Sequence, residues 1–271
     1  MKESWQKKCG KKFFGSEKDK EGEKIISVNS VKKPLISVII PTLNEENYIE
    51  DTLLSLKWQN FEFPYEIIVV DSNSKDNTVK IAKKYANKII VTKKKGVAKG
   101  RNLGAKYAEG KYLVFVDADT ILLPNALEKL YKEIRNPTVA LVSLPVLPSC
   151  FDSVFLFYYF VYSLFSKISI IFGKPQIAGI VMCCRKETFF KVGGFGEDNI
   201  VLEDFDFSEK IRKFGRIKIV DSSLALTSPR RIEKWGKIVG AVKYLSIYWL
   251  YFCGKKEIAN RLGKKMYGPV R

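Results

Sequence analysis

The 271-residue sequence predicts an α/β protein: a mainly parallel central sheet covered by helices on both faces, with a C-terminal helical extension. Three observations predict it. From Pro34 onward, short apolar runs alternate with helix-like segments, the order that right-handed crossovers turn into a parallel sheet with helices on both faces. The run Tyr112 to Val116 is apolar throughout, as a strand buried on both faces is. Polar residues cluster where the runs end, which is where open α/β sheets bind ligands.

Taken in order, residues 1–33 carry ten lysines and five acids without sustained periodicity, which predicts a mobile basic tail. No long apolar stretch follows the early lysines, so a cleavable leader is not expected. Residues 34–222 read as one domain with halves at 34–120 and 121–222. Strands are expected at 36–40, 67–70, 88–91, 112–116 and 139–144, and helices at 45–57, 76–86, 97–108 and 125–134. Asp76 can cap the helix "NTVKIAKKYA", and Asn125 follows Pro124 at a helix boundary.

After Pro148 the character changes. "FDSVFLFYYFVYSLFSKISIIFG" (151–173) is densely aromatic, but Asp152 and Lys167 leave fewer than the roughly 18 uncharged residues of a membrane span. A second apolar segment, 237–256, is interrupted by Lys243 and flanked by basic residues, as an interfacial helix would be. Either segment also suits a core. Polybasic flanks beside aromatic faces favour anionic lipid headgroups, so peripheral contact with an anionic membrane is expected, with residues 223–271 as a basic, partly amphipathic extension.

Composition narrows the chemistry. The five cysteines form no CxxC pair and there is no histidine, which argues against a zinc site or a disulfide framework and for a cytoplasmic setting, at or near the membrane surface. Catalytic triads containing histidine are excluded, and acid–base and metal chemistry must rest mainly on carboxylates. The net charge of +18 is uneven: residues 207–271 carry 16 basic against 4 acidic residues, whereas 34–206 carry 21 against 20. A neutral body argues against nucleic acid as a partner, although the basic ends suit an anionic surface or a phosphorylated substrate.

Residues just after successive parallel strands line one crevice, so Asn44, Glu45, Asp71 and the pair Asp117 and Asp119 can face a common ligand. Two carboxylates one residue apart suit a hard divalent cation that takes its other ligands from substrate phosphates and water. The helix starting at Val97 offers its N-terminus, with Lys99 and Arg101 to offset a diphosphate. In "VGGFGEDNIVLEDFDFSEKIRKFG" (192–215), Asp206 reads as a helix N-terminal acid. Asp204 can take a proton from an acceptor hydroxyl, and Gly193 and Gly194 let the loop approach a ligand.

The ordered set "ISVIIPTLNEENYIEDTLLSL", "EIIVVDSNSKDNTVKIA", "GRNLGAKYAEGKYLVFVDADT" and "RKETFFKVGGFGEDNIVLEDFDFSEKIRKFG" resembles the family 2 glycosyltransferases over about residues 35–220. The resemblance implies a GT-A, nucleotide-diphospho-sugar transferase fold, with 34–120 as the nucleotide-binding half and 121–222 as the acceptor half. It also implies inverting transfer of a sugar from a nucleotide-diphospho-sugar donor to an acceptor hydroxyl; the acceptor itself is not legible, with a glycan or, to suit the aromatic segments, a lipid-linked molecule as the candidates. Pro41, Thr42, Asn44 and Glu45 match its first nucleotide-binding loop, Asp71 the acid that contacts the base, and Arg101 and Asn102 later polar contacts. Asp117 and Asp119 match the DxD acids, Asp119 as the direct ligand of Mn2+ or Mg2+, and Asp204 matches the general base. Arg230 and Arg231, in "TSPRR", lie where members place acceptor or diphosphate contacts. Two departures stand out: "DSNS" replaces the usual "DDGS", and the late histidine that some members put on the metal is missing. Two other functions share features with this chain. A sugar-phosphate nucleotidyltransferase would have a glycine-rich, arginine-containing loop after the first strand, which "PTLNEENYI" is not. A non-catalytic basic protein binding nucleic acid or a membrane surface would show steep salt dependence.

Overall fold

The computed structural model describes residues 15–18, 22–198 and 201–267. The chain opens with β1 (Gly15–Lys18) and β2 (Lys24–Ser27), then β3 (Ile36–Thr42), α1 (Ile49–Lys57), β4 (Tyr65–Asp71), α2 (Thr78–Ala82), β5 (Lys88–Val91), α3 (Val97–Tyr107) and β6 (Tyr112–Val116). It continues through β7 (Thr120–Leu122), α4 (Ala126–Ile134), β8 (Val139–Ser143), β9 (Val146–Pro148), α5 (Ser153–Ile171), β10 (Val181–Arg185) and α6 (Lys186–Lys191). The last elements are α7 (Glu203–Ile211), β11 (Arg216–Ile219), β12 (Ala225–Thr227), α8 (Arg230–Glu233), α9 (Lys237–Phe252) and α10 (Lys256–Tyr267).

The main sheet runs β1-β2-β5-β4-β3-β6-β10-β8-β11. Its centre, β5-β4-β3-β6, is parallel, and β10 enters antiparallel between β6 and β8. Along β3, Val38 and Ile40 enter one core layer with Leu53, Leu127 and Leu130, while Ile39 enters the other with Ala105 and Phe207. Period-two alternation thus feeds two cores from one strand. Gly104 of α3 lets the helix pack directly on β3, since a Cβ there would lie 2.3 Å from Cγ2 of Ile39.

The expected strands and helices appear near their predicted places, with corrections. The 1–33 tail is not mobile throughout: β2 pairs antiparallel with β5, and Ile26 and Val28 are buried in the core. The open edge of β5 needs hydrogen-bond partners and "KIIS" supplies them. Residues 1–14 and 19–21 lie outside the described residues. The helix expected at 76–86 is α-helical only over Thr78–Ala82, with Asp76 Oδ1 accepting the Thr78 N–H at 3.0 Å. The expected division at residue 222 is crossed by a small sheet, β7-β12-β9, in which Thr227 pairs with Thr120. Helices α5, α7, α9 and α10 share a third core containing Phe155, Phe205, Tyr244 and Tyr251. Asp152 caps α5, accepting the N–H groups of Val154 and Phe155.

Candidate active site

The carboxyl ends of β3 and β6, the start of α3, α7 and the turn before α8 enclose a cavity of about 430 Å³. Pro41, Thr42, Glu45, Arg101, Asp117, Asp119, Asp204, Arg230 and Arg231 all line it. Three expected site residues do not. Asp71 is fully buried, accepting from the hydroxyls of Thr42 (3.1 Å) and Ser74 (2.5 Å) and from the Ser74 N–H (2.8 Å). Asn44, at φ 54°, lines an adjoining groove with Asn73 and Lys75; its N–H donates to Ser74 Oγ and its side-chain oxygen accepts the Lys75 N–H. Together they lock the loops after β3 and β4 to each other. Asn102 exchanges hydrogen bonds with the backbone N–H and carbonyl of Phe195, fixing the Gly193 and Gly194 loop. Gly194, at φ 68°, has no room for a Cβ, which would sit 2.7 Å from Asn102 Oδ1.

Arg101 is buried, and its guanidinium donates to Asp117 Oδ1 (2.9 Å), Glu203 Oε1 (3.0 Å) and the Gly179 carbonyl (2.9 Å). Three acceptors and the Phe195 ring beneath it hold the group in place. The residue expected to meet the ligand therefore also ties three segments of the site together. Glu203, which the sequence offered no role, is the partner missed; its signal is the acid immediately before Asp204.

Asp204 Oδ2 accepts the Gly179 N–H at 2.7 Å and Oδ1 the Phe205 N–H at 2.9 Å. Burial pushes its carboxyl up to about 6, against the pull of the Arg101 guanidinium and those two N–H groups. Burial and the adjacent Asp204 charge likewise raise Glu203, with Arg101 opposing. The Tyr162 hydroxyl accepts the Ala178 N–H at 2.6 Å, so α5 holds the very segment that orients Asp204. Asp206 pairs instead with Lys210 one helical turn on, as an N-terminal helix acid does.

Across the small sheet, the pairing of Thr227 with Thr120 sets Asp119 and Arg230 side by side. Arg230 Nε donates to Asp119 Oδ2 at 2.9 Å, and Nη2 reaches both oxygens of Glu45 at 2.8 and 2.6 Å. The guanidinium also stacks 4.3 Å from the centre of the Tyr48 ring. No group of three or more acidic, cysteine or histidine side chains converges among the described residues. The carboxylates available to a cation are those of Asp117 and Asp119, each ion-paired with an arginine, Arg101 and Arg230; one or two carboxylates suit a cation that completes its shell with phosphate oxygens and water, not an all-protein cage. The far wall was not legible as a site: Tyr158, Tyr159 and Tyr162 from α5 and Tyr244 and Tyr248 from α9 line it. Their only signal is the one- and four-residue spacing that puts them on one helical face.

The family model described as Glycosyl transferase family 2 matches residues 37–185. A poly(ribitol-phosphate) β-N-acetylglucosaminyltransferase, TarS, of Staphylococcus aureus is 43% identical over 90 residues, which cover 31% of this chain and 16% of that protein. An uncharacterized glycosyltransferase of Haemophilus influenzae is 29% identical over 191 residues, covering 65% of this chain and 62% of the relative. The chain thus spans less than two thirds of either relative. Among solved structures, the mannosyltransferase PcManGT of Pyrobaculum calidifontis, in complex with GDP-Man and Mn2+, superposes with a TM-score of 0.61 at 23% identity, covering 80% of this chain and 65% of that one. A fragment of S. aureus TarS in complex with UDP-GlcNAc superposes with a TM-score of 0.53 at 24% identity, covering 71% and 58%.

Proposed function

Because the chain belongs to glycosyl transferase family 2 and has the GT-A fold, we propose that it transfers a sugar, with inversion, from a nucleotide-diphospho-sugar to an acceptor hydroxyl. The observation that carries the reading is the Asp204 carboxylate, buried, lining the cavity and held by two backbone N–H groups. In that role Asp204 removes the proton from the acceptor hydroxyl as its oxygen bonds to the anomeric carbon and the bond to the diphosphate breaks on the opposite face. A carboxylate this basic remains ionised near neutrality and accepts a proton more readily than an exposed aspartate.

Lys99 and Arg231 line the same cavity and supply positive charge for the diphosphate. Asp119, with Asp117 beside it, would hold Mn2+ or Mg2+; such a cation, when bound, neutralises charge on the leaving diphosphate. The GDP-Man and UDP-GlcNAc carried by the similar structures support a nucleotide-sugar donor, and the Mn2+ of the former supports the cation.

With water as the acceptor, early time points of donor hydrolysis followed by NMR test the chemistry. The first-formed sugar should have the anomeric configuration opposite to the donor's, and Asp204→Asn should slow nucleoside diphosphate release by about 100-fold or more. A retained configuration, or an undiminished rate in the variant, would refute Asp204 as the base of an inverting transfer.

A further inference from the structure

The outward faces of α5 and α9 carry a pattern that the cavity does not use. On α5, Phe157, Phe160, Leu164, Ile168 and Ile171 are all exposed, at steps of three and four residues. They form one stripe along the helix. On α9, Ile238, Val242 and Trp249 are exposed in the same manner. The opposite faces of both helices bear the tyrosines of the cavity wall.

The two stripes belong to one surface. At the helix starts, Lys237 pairs with Asp152 at 2.7 Å and lies over the Phe155 ring. At the helix ends, Phe252 contacts Phe165 and Phe172 and stacks on Trp249 at 5.8 Å between ring centres. The pair therefore runs side by side in the same direction, and Ile171, Phe172 and Trp249, at 81%, 69% and 59% exposure, crowd its far end. Lys174 sits over the Phe252 ring at 5.4 Å, putting a cation at the rim of this aromatic patch. Residues 234–256 contain five lysines and no acid, of which Lys237 pairs with Asp152 and Lys256 with Glu209, and α10 adds exposed Arg261, Lys264 and Lys265 with one exposed acid, Glu257, beside exposed Ile258 and Leu262.

We propose that the joined outer faces of α5 and α9 dock the protein on an anionic lipid bilayer, lying in its interface. The apolar stripes supply insertion, and exposed Lys255, Arg261, Lys264 and Lys265, with Lys174 at the rim, supply charge complementarity to anionic headgroups. By length and mean hydropathy (1.7), Ser153–Ile171 is the one candidate membrane-crossing helix among the described residues. It lies on the bilayer rather than crossing it, because its inner face is committed to Phe155, Tyr158, Tyr159 and Tyr162, which are buried against the rest of the protein. The cavity wall and the membrane contact are then two faces of one helix pair.

Vesicle flotation of the full chain tests this. The protein should float with phosphatidylglycerol-containing vesicles, less with pure phosphatidylcholine, and less again in high salt. Phe160→Ser combined with Leu164→Ser should weaken flotation by about tenfold while leaving the melting temperature and nucleotide-sugar binding unchanged. Trp249→Ala, at the far end of the surface, should weaken it independently. Two results would overturn the proposal: no flotation by a folded, donor-binding protein, or sedimentation showing a dimer that the same substitutions dissociate, which would assign the surface to a second copy. Loss of donor binding with flotation intact would strike the transferase reading instead and leave the docking surface standing.

Discussion

Asp204 and Asp119 begin as two acids of the same kind and end in opposite surroundings. Asp119 meets the guanidinium of Arg230, whereas Asp204 is buried, receiving only backbone N–H groups directly and the field of Arg101 at a distance. Its folded-state pKa is raised, so it takes up a proton at a higher pH than an ordinary aspartate. In the proposed role of base it must be deprotonated, and activity is then expected to hold above the raised value and to be lost as pH falls through it. The predicted kcat/KM profile turns down near pH 6 and drops about tenfold per unit below it, and a profile flat to pH 4.5 would contradict this placement of the base. The acids were legible in the sequence because each closes a strand or opens a helix. What they touch was not: Arg101 reaches Glu203 across 102 positions and Arg230 reaches Glu45 across 185, separations over which no local pattern carries information. The place of Asp71 at a strand end suits both facing a ligand and pinning the neighbouring loop, and its oxygens here accept from Ser74 and Thr42.

At the level of elements, α3 is set by its glycines. Gly104 lets the helix lie against β3, and an added Cβ would meet Ile39 at 2.3 Å and Val70 at 3.1 Å. Gly104→Ala gains helix propensity but overpacks a filled core. The expected net result in chemical denaturation is a loss of about 1–3 kcal/mol, and because Arg101 rides on the same helix, donor binding should weaken with it. A gain in stability would mean the two layers separate freely. The strands around α3 were readable because β6 is a continuous apolar run and β3 and β4 each carry an unbroken apolar stretch, Val38 to Pro41 and Ile67 to Val70. Strand β10 was not: "VMCCR" follows a glycine-containing loop and precedes a helix start, and only its position between β6 and β8 makes it a strand. Likewise, β2 is a four-residue segment with two isoleucines in a lysine-rich stretch, and its structure depends on the edge of β5. Helices α5 and α9 were legible as apolar and aromatic, but their division into a tyrosine face and an exposed face appears only once they pack on each other.

For the whole molecule, the site closes because distant parts of the chain meet. The parallel half supplies Glu45, Asp117 and Asp119, the turn before β10 supplies Gly179, the start of α7 supplies Asp204, and the region before α9 supplies Arg230 and Arg231. Uneven charge follows the same division: the near-neutral body holds the acids of the site, and the strongly basic C-terminal part supplies cations to the cavity and to the outer surface. In this structure Arg230 joins Asp119 to Glu45; under the proposed function, a cation held by Asp119 would have to take the place of that arginine. The most direct measurement is the melting temperature of the full chain with a panel of nucleotide-diphospho-sugars, each with Mn2+, with Mg2+ and with chelator, beside Asp119→Ala. The account predicts a cation-dependent rise for at least one donor, equivalent to about 2.7 kcal/mol at one hundred times its dissociation constant, and its loss in the variant. No rise with any donor for a folded protein, or an equal rise in Asp119→Ala, would contradict it.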